Sequence, residues 1–155
     1  MALIAATAHA DQDGSLERTQ RMVEQFKTRF VLIGPALAEN LEQLYTEDVR
    51  FRDPISTVTG LVDLRRYFER FAAVSAGAHF DITAEIVQPG QAAVFWTMVM
   101  MDDKGQPSRR FAGVSHLEVR DRISQERDYF DLGEAVYDHV PVVSWLTRLV
   151  RSRLE

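Results

Sequence analysis

The chain contains no cysteine, and this absence excludes several kinds of chemistry at once. Disulfide bonds, thiol catalysis and cysteine-based zinc sites are all ruled out. The sequence also lacks a long hydrophobic run: the longest, residues 92–101, is about half of what a bilayer-spanning helix needs. We therefore expect no membrane span, and the lack of cysteine favours the reducing environment of the cytoplasm.

Basic charge is scarce as well. The chain has 18 Lys and Arg residues against 23 Asp and Glu residues, a formal net charge of −5 at pH 7. A protein without a global basic field is not expected to hold nucleic acid. The histidines are isolated from one another, and the sequence has no phosphate-binding loop and no dinucleotide-binding motif. We therefore expect neither a metal ion nor a cofactor.

What is present fits one globular domain. The 155 residues, 46% of them hydrophobic, are enough to bury a full core. We divide the chain into a flexible N-terminus, residues 1–14, a central domain, residues 15–135, and a C-terminal amphipathic helix, residues 136–155. We expect that helix to pack on the domain or on a partner subunit.

Apolar spacing predicts three helices in the first half of the chain. The first begins near Ser15, the second has an apolar stripe from Leu37 to Tyr45, and the third follows Gly60. Strands are predicted at residues 49–53, 79–87, 92–101, 109–119 and 123–130, and a last helix at residues 142–154. In the second of these strands, alternation puts four apolar residues on one face: Phe80, Ile82, Ala84 and Ile86.

This order of elements predicts an α+β fold. We expect a cone-shaped, curved antiparallel sheet, or α+β barrel, packed against the three N-terminal helices, with an extra C-terminal helix. A strongly bent sheet that is closed by helices encloses an internal cavity.

Alternation along the strands also predicts which charged side chains point inward, because residues i and i+2 share one face. Asp53 shares a face with Phe51, and Asp128 shares a face with Phe130. If the aromatic residues point into the core, both carboxylates do so too. Burial should then raise the pKa of Asp53 and suit it to act as a base near neutral pH.

Both aspartates also have a purely structural interpretation. Asp53 precedes Pro54 and is a candidate turn residue whose carboxylate accepts hydrogen bonds from nearby backbone amides. Asp128 is a candidate strand-end carboxylate that pairs with an arginine. On the preceding strand, Ser115 is the polar residue of an apolar face, whereas His116 lies on the other face, exposed to solvent or in a dimer contact.

Two segments carry a resemblance to a known family. The stretch LYTEDVRFRDP, residues 44–54, and the stretch RISQERDYFD, residues 122–131, resemble the nuclear transport factor 2-like superfamily. That superfamily includes ketosteroid isomerase, limonene epoxide hydrolase, scytalone dehydratase and SnoaL-like polyketide cyclases. The resemblance covers roughly residues 15–135. It implies a cone-shaped α+β barrel with a deep apolar pocket, commonly in a dimer.

The resemblance to ketosteroid isomerase implies a role for Asp53. The general base of that enzyme is the Asp of a strand-ending Asp-Pro, and Asp53 with Pro54 matches this motif. The positions of its oxyanion-hole donors correspond to Phe30 and Ser115 here. Phe30 has no hydrogen-bond donor. The loss of one oxyanion-hole donor typically lowers the rate ~10²–10³-fold.

The resemblance to limonene epoxide hydrolase implies a role for Asp128, which falls on a catalytic carboxylate of that enzyme. Its other charged groups have no counterpart in residues 97–101, and its Tyr and Asn positions hold Phe51 and Asp53. SnoaL-like cyclases require only one pocket carboxylate, which acts on a substrate that is already reactive. Asp128 fits that requirement, with Asp53 as a second titrating group.

The function that these patterns favour is cofactor-free acid/base catalysis of the isomerase, cyclase or hydrolase type. The substrate is expected to be a small apolar molecule that bears a carbonyl or epoxide group. Asp128 is the leading acid/base and Asp53 the second, in a pocket formed by Phe30, Tyr45, Phe51, Trp96, Ser115 and Phe130. Two alternatives remain: non-catalytic binding of an apolar small molecule, and a dimeric interaction scaffold. In each case the expected partner subunit is a second copy of the chain.

Overall fold

The structure is a computed structural model that describes residues 2–31, 33–75, 77–102 and 104–135. Side chains are described from residue 12 onward within these ranges. The predicted C-terminal helix, residues 142–154, lies outside the described residues. None of the described helices combines the length and the apolar character that crossing a membrane requires.

Three α-helices are described: α1 (Ala2–Phe30), α2 (Leu61–Val74) and the short α3 (Leu132–Ala135). Helix α1 begins well before Ser15, where the sequence analysis placed its start. Helix α2 forms where it was predicted, and it buries Leu64 and Phe68.

The predicted second helix is not continuous. Its place is taken by two 3₁₀ helices, Pro35–Ala38 and Leu41–Gln43, and the last residue of its apolar stripe, Tyr45, begins a strand. The interruption occurs at Asn40, which has a φ of 50°. A residue in the left-handed region breaks a right-handed helix, and asparagine tolerates that region better than most residues.

Six strands form one curved sheet in the order β2-β1-β6-β5-β4-β3. They are β1 (Tyr45–Arg52), β2 (Thr57–Thr59), β3 (His79–Gln88), β4 (Gln91–Met101), β5 (Pro107–Val119) and β6 (Ile123–Phe130). The predicted fold class, α+β with a curved sheet against helices, is confirmed. The sheet is mixed rather than wholly antiparallel, because β1 pairs in parallel with β6. It is also open, since β2 and β3 form the edges of the described sheet.

One strand contains an irregularity that changes which side chains point inward. The register of β3 against β4 shifts between Ile82, which pairs with Trp96, and Ala84, which pairs with Phe95. A bulge reverses the alternation beyond it. The predicted common face of β3 therefore ends at Ile82, and Ile86 is 57% exposed.

The helices cover one face of the sheet, and the core lies between the two layers. Helix α1 packs against β3 and β4, and α2 packs against β1. Phe30 of α1 meets Phe68 of α2 and Phe80 of β3 edge-on, with ring centroids 5.8 and 5.5 Å apart. These aromatic contacts join both helices to the sheet, and the three rings line a cavity.

Candidate active site

The cavity between the helices and the sheet has a volume of about 250 Å³. Two carboxyl groups, Asp53 and Asp128, reach it from different strands. Most of the remaining wall is aromatic: Phe30, Phe51, Tyr67, Phe68, Phe71, Phe80, Trp96, Phe111 and Phe130. Among the described lining residues there is no lysine, arginine or histidine. The site is therefore an apolar chamber with two acidic groups.

Asp53 follows the last residue of β1 and is buried, with 7% of its surface exposed. Its Oδ1 accepts hydrogen bonds from the backbone amides of Ile55 and Ser56. Its Oδ2 accepts a hydrogen bond of 2.6 Å from the Tyr67 hydroxyl. Asp53 is thus both an inward-facing carboxylate and a turn residue. Three donated hydrogen bonds stabilise a negative charge on it and fix its orientation.

Asp128 of β6 lies directly across from Ser115 of β5. The Ser115 hydroxyl donates a hydrogen bond of 2.6 Å to Asp128 Oδ1 and accepts one of 2.9 Å from Trp96 Nε1. Within the described residues Asp128 makes no ion pair with an arginine. Its neighbour Arg127 instead lies over the ring of Tyr129, 4.6 Å from the centroid. The inward orientation expected for Asp128 is therefore the one observed.

The surroundings of Asp128 raise its pKa from 3.8 to about 7. Burial is the main cause, because a charged carboxylate loses its hydration in the apolar chamber. The hydrogen bond from Ser115 opposes this rise, and the negative charge of Asp53 adds to it. Asp128 therefore exchanges its proton close to neutral pH.

Trp96 owes its position to a glycine on the neighbouring strand. Gly113 of β5 is its cross-strand partner, and a Cβ at position 113 would overlap the indole ring. Only a residue without a side chain lets the indole lie flat against β5. This close approach brings the indole Nε1 within reach of Ser115.

A hydrogen-bonded pair of buried residues, Glu126 and Tyr45, lies next to Asp128. Glu126, two residues earlier on β6, is 1% exposed and accepts a 2.5 Å hydrogen bond from the Tyr45 hydroxyl. Burial raises the pKa of Glu126 well above its usual range, and the charge of Asp128 raises it further. Burial likewise raises the pKa of Tyr45. Glu126 and Asp128 also border a small void of about 10 Å³ beside the cavity.

The structure brings most of the predicted site residues together. Phe30, Phe51, Trp96 and Phe130 line the cavity along with the two aspartates. Tyr45 is not part of the lining and is fully buried against Glu126. Ser115 borders the adjoining void, and its hydroxyl proton is directed at Asp128 rather than into the cavity.

The sequence patterns did not lead us to Tyr67 and Glu126, although the spacing of apolar and polar residues indicates both. Tyr67 lies between Leu64 and Phe71 at helical spacing, which places all three on one face of α2. Glu126 shares the inward parity of Asp128. The described residues contain no group of three or more His, Cys, Asp or Glu side chains that is arranged to hold a metal ion.

Comparisons with known proteins agree with this architecture. The model of the SnoaL-like domain family matches residues 18–125. A protein from Kribbella flavida that is proposed to be a ketosteroid isomerase has a similar structure, with 22% identity over 75% of this chain and 79% of that chain and a TM-score of 0.61. A protein from Catenulispora acidiphila with a ketosteroid isomerase-like fold, solved in complex with trimethylamine, has 21% identity over 75% and 89% of the two chains and a TM-score of 0.62.

A third similar structure is a protein from Xanthomonas campestris that is proposed to be a polyketide cyclase. It has 16% identity over 79% of this chain and 96% of that chain, with a TM-score of 0.64. A comparison with curated proteins finds no match. The structural similarities are at low identity and concern the fold, which is the nuclear transport factor 2-like fold expected from the two sequence motifs. Because the family match covers more than half of the residues, the chain belongs to the SnoaL-like family.

Proposed function

We propose that this protein is a cofactor-independent acid/base enzyme of the isomerase, cyclase or hydrolase type. Its substrate is a small apolar molecule with a carbonyl or epoxide group. One observation carries the proposal: Asp128 lines an apolar cavity that also contains a second carboxylate, Asp53, and its pKa there is about 7. A proton-transfer group is most effective when its pKa lies near the working pH.

Asp128 is the group that moves the proton. Within the described residues its Oδ1 accepts a hydrogen bond from the Ser115 hydroxyl, while its Oδ2 has no hydrogen-bond partner. As a carboxylate, Asp128 removes a proton from the carbon next to a carbonyl. As a carboxylic acid, it returns that proton to another carbon or to an oxygen. With Ser115 and Trp96 fixing one oxygen, the other has a defined direction.

Asp53 serves as the second, negatively charged group. Its carboxylate accepts three hydrogen bonds, from the amides of residues 55 and 56 and from the Tyr67 hydroxyl, and these bonds fix its orientation in the cavity. We assign Asp53 to orienting the substrate and to stabilising positive charge. Tyr67 donates its hydroxyl hydrogen to Asp53, so its oxygen can act toward a ligand only as an acceptor.

The geometry argues against steroid isomerisation by the pattern of ketosteroid isomerase. Phe30 has no donor, and the Ser115 proton is engaged by Asp128. A cavity of about 250 Å³ also lies below the usual ~300–1,000 Å³ of pockets for drug-sized ligands. Both observations favour a smaller substrate than a steroid.

The test is proton exchange on a panel of small ketones, lactones and epoxides in deuterated water, followed by proton NMR. We expect the wild-type protein to accelerate α-proton exchange or ring opening for at least one member. Asp128→Asn should reduce that rate by roughly 10²–10⁴-fold, the range that a general acid or base contributes. The matched control is Glu118→Gln, a strand carboxylate that is exposed and lies outside the cavity lining.

Non-catalytic binding of an apolar small molecule is the second candidate, and the aromatic lining favours it. One structural neighbour is itself a complex with a small molecule, trimethylamine. Ligands that shift cavity resonances with no turnover across the panel would favour this function over catalysis. Equal rates for wild type and Asp128→Asn would remove Asp128 from the mechanism.

We also propose that the protein is a homodimer located in the cytoplasm, with no nucleic-acid or membrane partner. The outward face of the sheet supports the dimer: Phe95, Val114 and Tyr129 are register neighbours on β4, β5 and β6. Phe95 is 37% and Tyr129 46% exposed. Sedimentation of wild type against Phe95→Asp tests this interface, and the variant should dissociate. A dimer whose cavity binds no member of the panel would favour the scaffold interpretation.

The absence of cysteine supports the proposed cytoplasmic location.

A further inference from the structure

The charge of the cavity is entirely of one sign among its described lining residues. Asp53 and Asp128 line it directly, and Glu126 lies behind Asp128 at the adjoining void. No described basic side chain lines it to balance them. The charge of Asp53 contributes to the raised pKa of Asp128, so the two groups interact across the chamber. The interior therefore has a negative potential, which no basic side chain among the described lining residues neutralises.

The aromatic walls add to this potential beside each carboxylate. On the Asp53 side, the rings of Phe51 and Tyr67 lie 4.6 Å apart, and Phe71 stacks on Tyr67 at 6.3 Å. The face of an aromatic ring carries partial negative charge, and it attracts a cation within about 6 Å of its centroid.

The Asp128 side is built in the same way from different strands. Phe130 lies 6.2 Å from Trp96 and 5.5 Å from Phe111, measured between ring centroids. Trp96 provides the ring type that binds cations best. Both groups of three rings line the same cavity as the two carboxylates.

We propose that the molecule bound in this cavity carries a positively charged alkylammonium group, which lies between Asp53 and Asp128 against the aromatic walls. Such a group combines apolar methyl or methylene surface, which suits the walls, with a charge that suits the carboxylates. Its charge is diffuse, so it gives up hydration more easily than an inorganic cation and can enter a chamber of about 250 Å³. This inference rests on the proposed function only in using the same cavity, and it adds an alkylammonium group to the carbonyl- or epoxide-bearing molecules expected there.

A bound alkylammonium ion has a defined effect on Asp128. A positive charge nearby stabilises the carboxylate and therefore lowers the Asp128 midpoint. Since Oδ2 has no hydrogen-bond partner among the described residues, this oxygen can face the cation directly. A neutral ligand of the same shape excludes water without adding charge, so it raises the midpoint or leaves it unchanged.

The experiment compares choline with its neutral carbon isostere, 3,3-dimethylbutan-1-ol. Binding of each is measured by calorimetry at about pH 8, above the Asp128 pKa. The Asp128 midpoint is measured by carbon NMR titration of its carboxyl group, with and without each molecule. We expect choline to bind at least about tenfold more tightly than the isostere, because the two molecules differ mainly in charge. We also expect choline to lower the Asp128 midpoint.

Asp128→Asn and Glu118→Gln separate the cavity from the surface. Asp128→Asn should reduce the affinity for choline about tenfold or more and leave the affinity for the isostere within about twofold of wild type. Glu118→Gln should change neither affinity. Equal or tighter binding of the isostere, binding of neither molecule, or choline affinity that Asp128→Asn does not reduce would each overturn the inference.

The outcome is independent of the proposed function. If only neutral carbonyl compounds bind and exchange protons, the ammonium inference is wrong and the acid/base function stands. If choline binds through Asp128 but wild type and Asp128→Asn show equal exchange rates across the panel, the acid/base function is wrong and the ammonium site stands.

Discussion

Replacing Asp128 with asparagine should change how the stability of the protein depends on pH. In the folded protein the pKa of Asp128 is raised from 3.8 to about 7. Between these values the folded protein holds a proton that the unfolded chain releases. The free energy of unfolding therefore falls as the pH rises through this window, and the contribution of the neutral carboxyl is lost above about pH 7.

The size of the effect follows from the two pKa values. The interval from 3.8 to about 7, at about 1.36 kcal/mol per pH unit, corresponds to about 4 kcal/mol. Asparagine has nearly the same shape and carries no charge at any of these pH values. Relative to wild type, Asp128→Asn should therefore gain up to about 4 kcal/mol between about pH 4 and about pH 8.

Urea unfolding of both proteins across this range, without ligand, measures the difference. Glu118→Gln serves as the control and should follow wild type, because residue 118 lies outside the cavity lining. A difference between wild type and Asp128→Asn that stays within about 1 kcal/mol from about pH 4 to about pH 8 would refute the reasoning, since a solvated carboxylate gives that result.

Three further substitutions test other contacts of the site. Gly113→Ala places a Cβ against the neighbouring indole, so it should destabilise the protein by about 1–3 kcal/mol in urea unfolding and shift the indole N–H resonance. Glu126→Gln keeps an acceptor for the Tyr45 hydroxyl, so its free energy of unfolding should stay within about 1 kcal/mol of wild type. Glu126→Ala removes the acceptor and should lose roughly 2–4 kcal/mol. Equal losses for the two variants would contradict the role of that hydrogen bond. Tyr67→Phe removes one donor from Asp53 and should cost about 1–3 kcal/mol, and an unchanged urea midpoint would show that the bond contributes nothing.

Strand parity was sufficient to predict the two acidic groups of the cavity. Asp53 and Asp128 point inward because each lies two residues from an aromatic residue that also lines the cavity, Phe51 and Phe130. The same rule applied to Glu126 would have identified the third carboxyl. A buried glutamate is rare unless it has a partner, and Tyr45, the partner, is 81 positions away in the chain.

Other features depend on interactions between distant parts of the chain, which local patterns do not contain. The bulge in β3 after Ile82 reverses the exposure of Ile86, and no glycine or proline marks it. The parallel pairing of β1 with β6 joins strands from opposite ends of the domain. The left-handed Asn40 divides a segment whose apolar spacing is typical of one helix.

The arrangement around Asp128 shows how a small cavity can produce a neutral-pH acid. Gly113 admits the indole of Trp96, Trp96 donates to Ser115, and Ser115 donates to Asp128. This chain of contacts fixes one oxygen of the carboxyl group while the aromatic lining removes its hydration. Ser115 and Trp96 thus set the orientation of Asp128, whereas burial and the charge of Asp53 raise its pKa against the opposing effect of the Ser115 hydrogen bond.

The most direct test of this account is a carbon NMR titration of the Asp128 carboxyl group, assigned by comparison with Asp128→Asn. The account predicts a midpoint of about 7, because the carboxyl lies in an apolar cavity that also contains Asp53. A midpoint at or below 3.8, the ordinary value for an aspartate, would contradict it. Asp128 would then be a solvated or cation-paired carboxylate, with no proton to exchange near neutral pH.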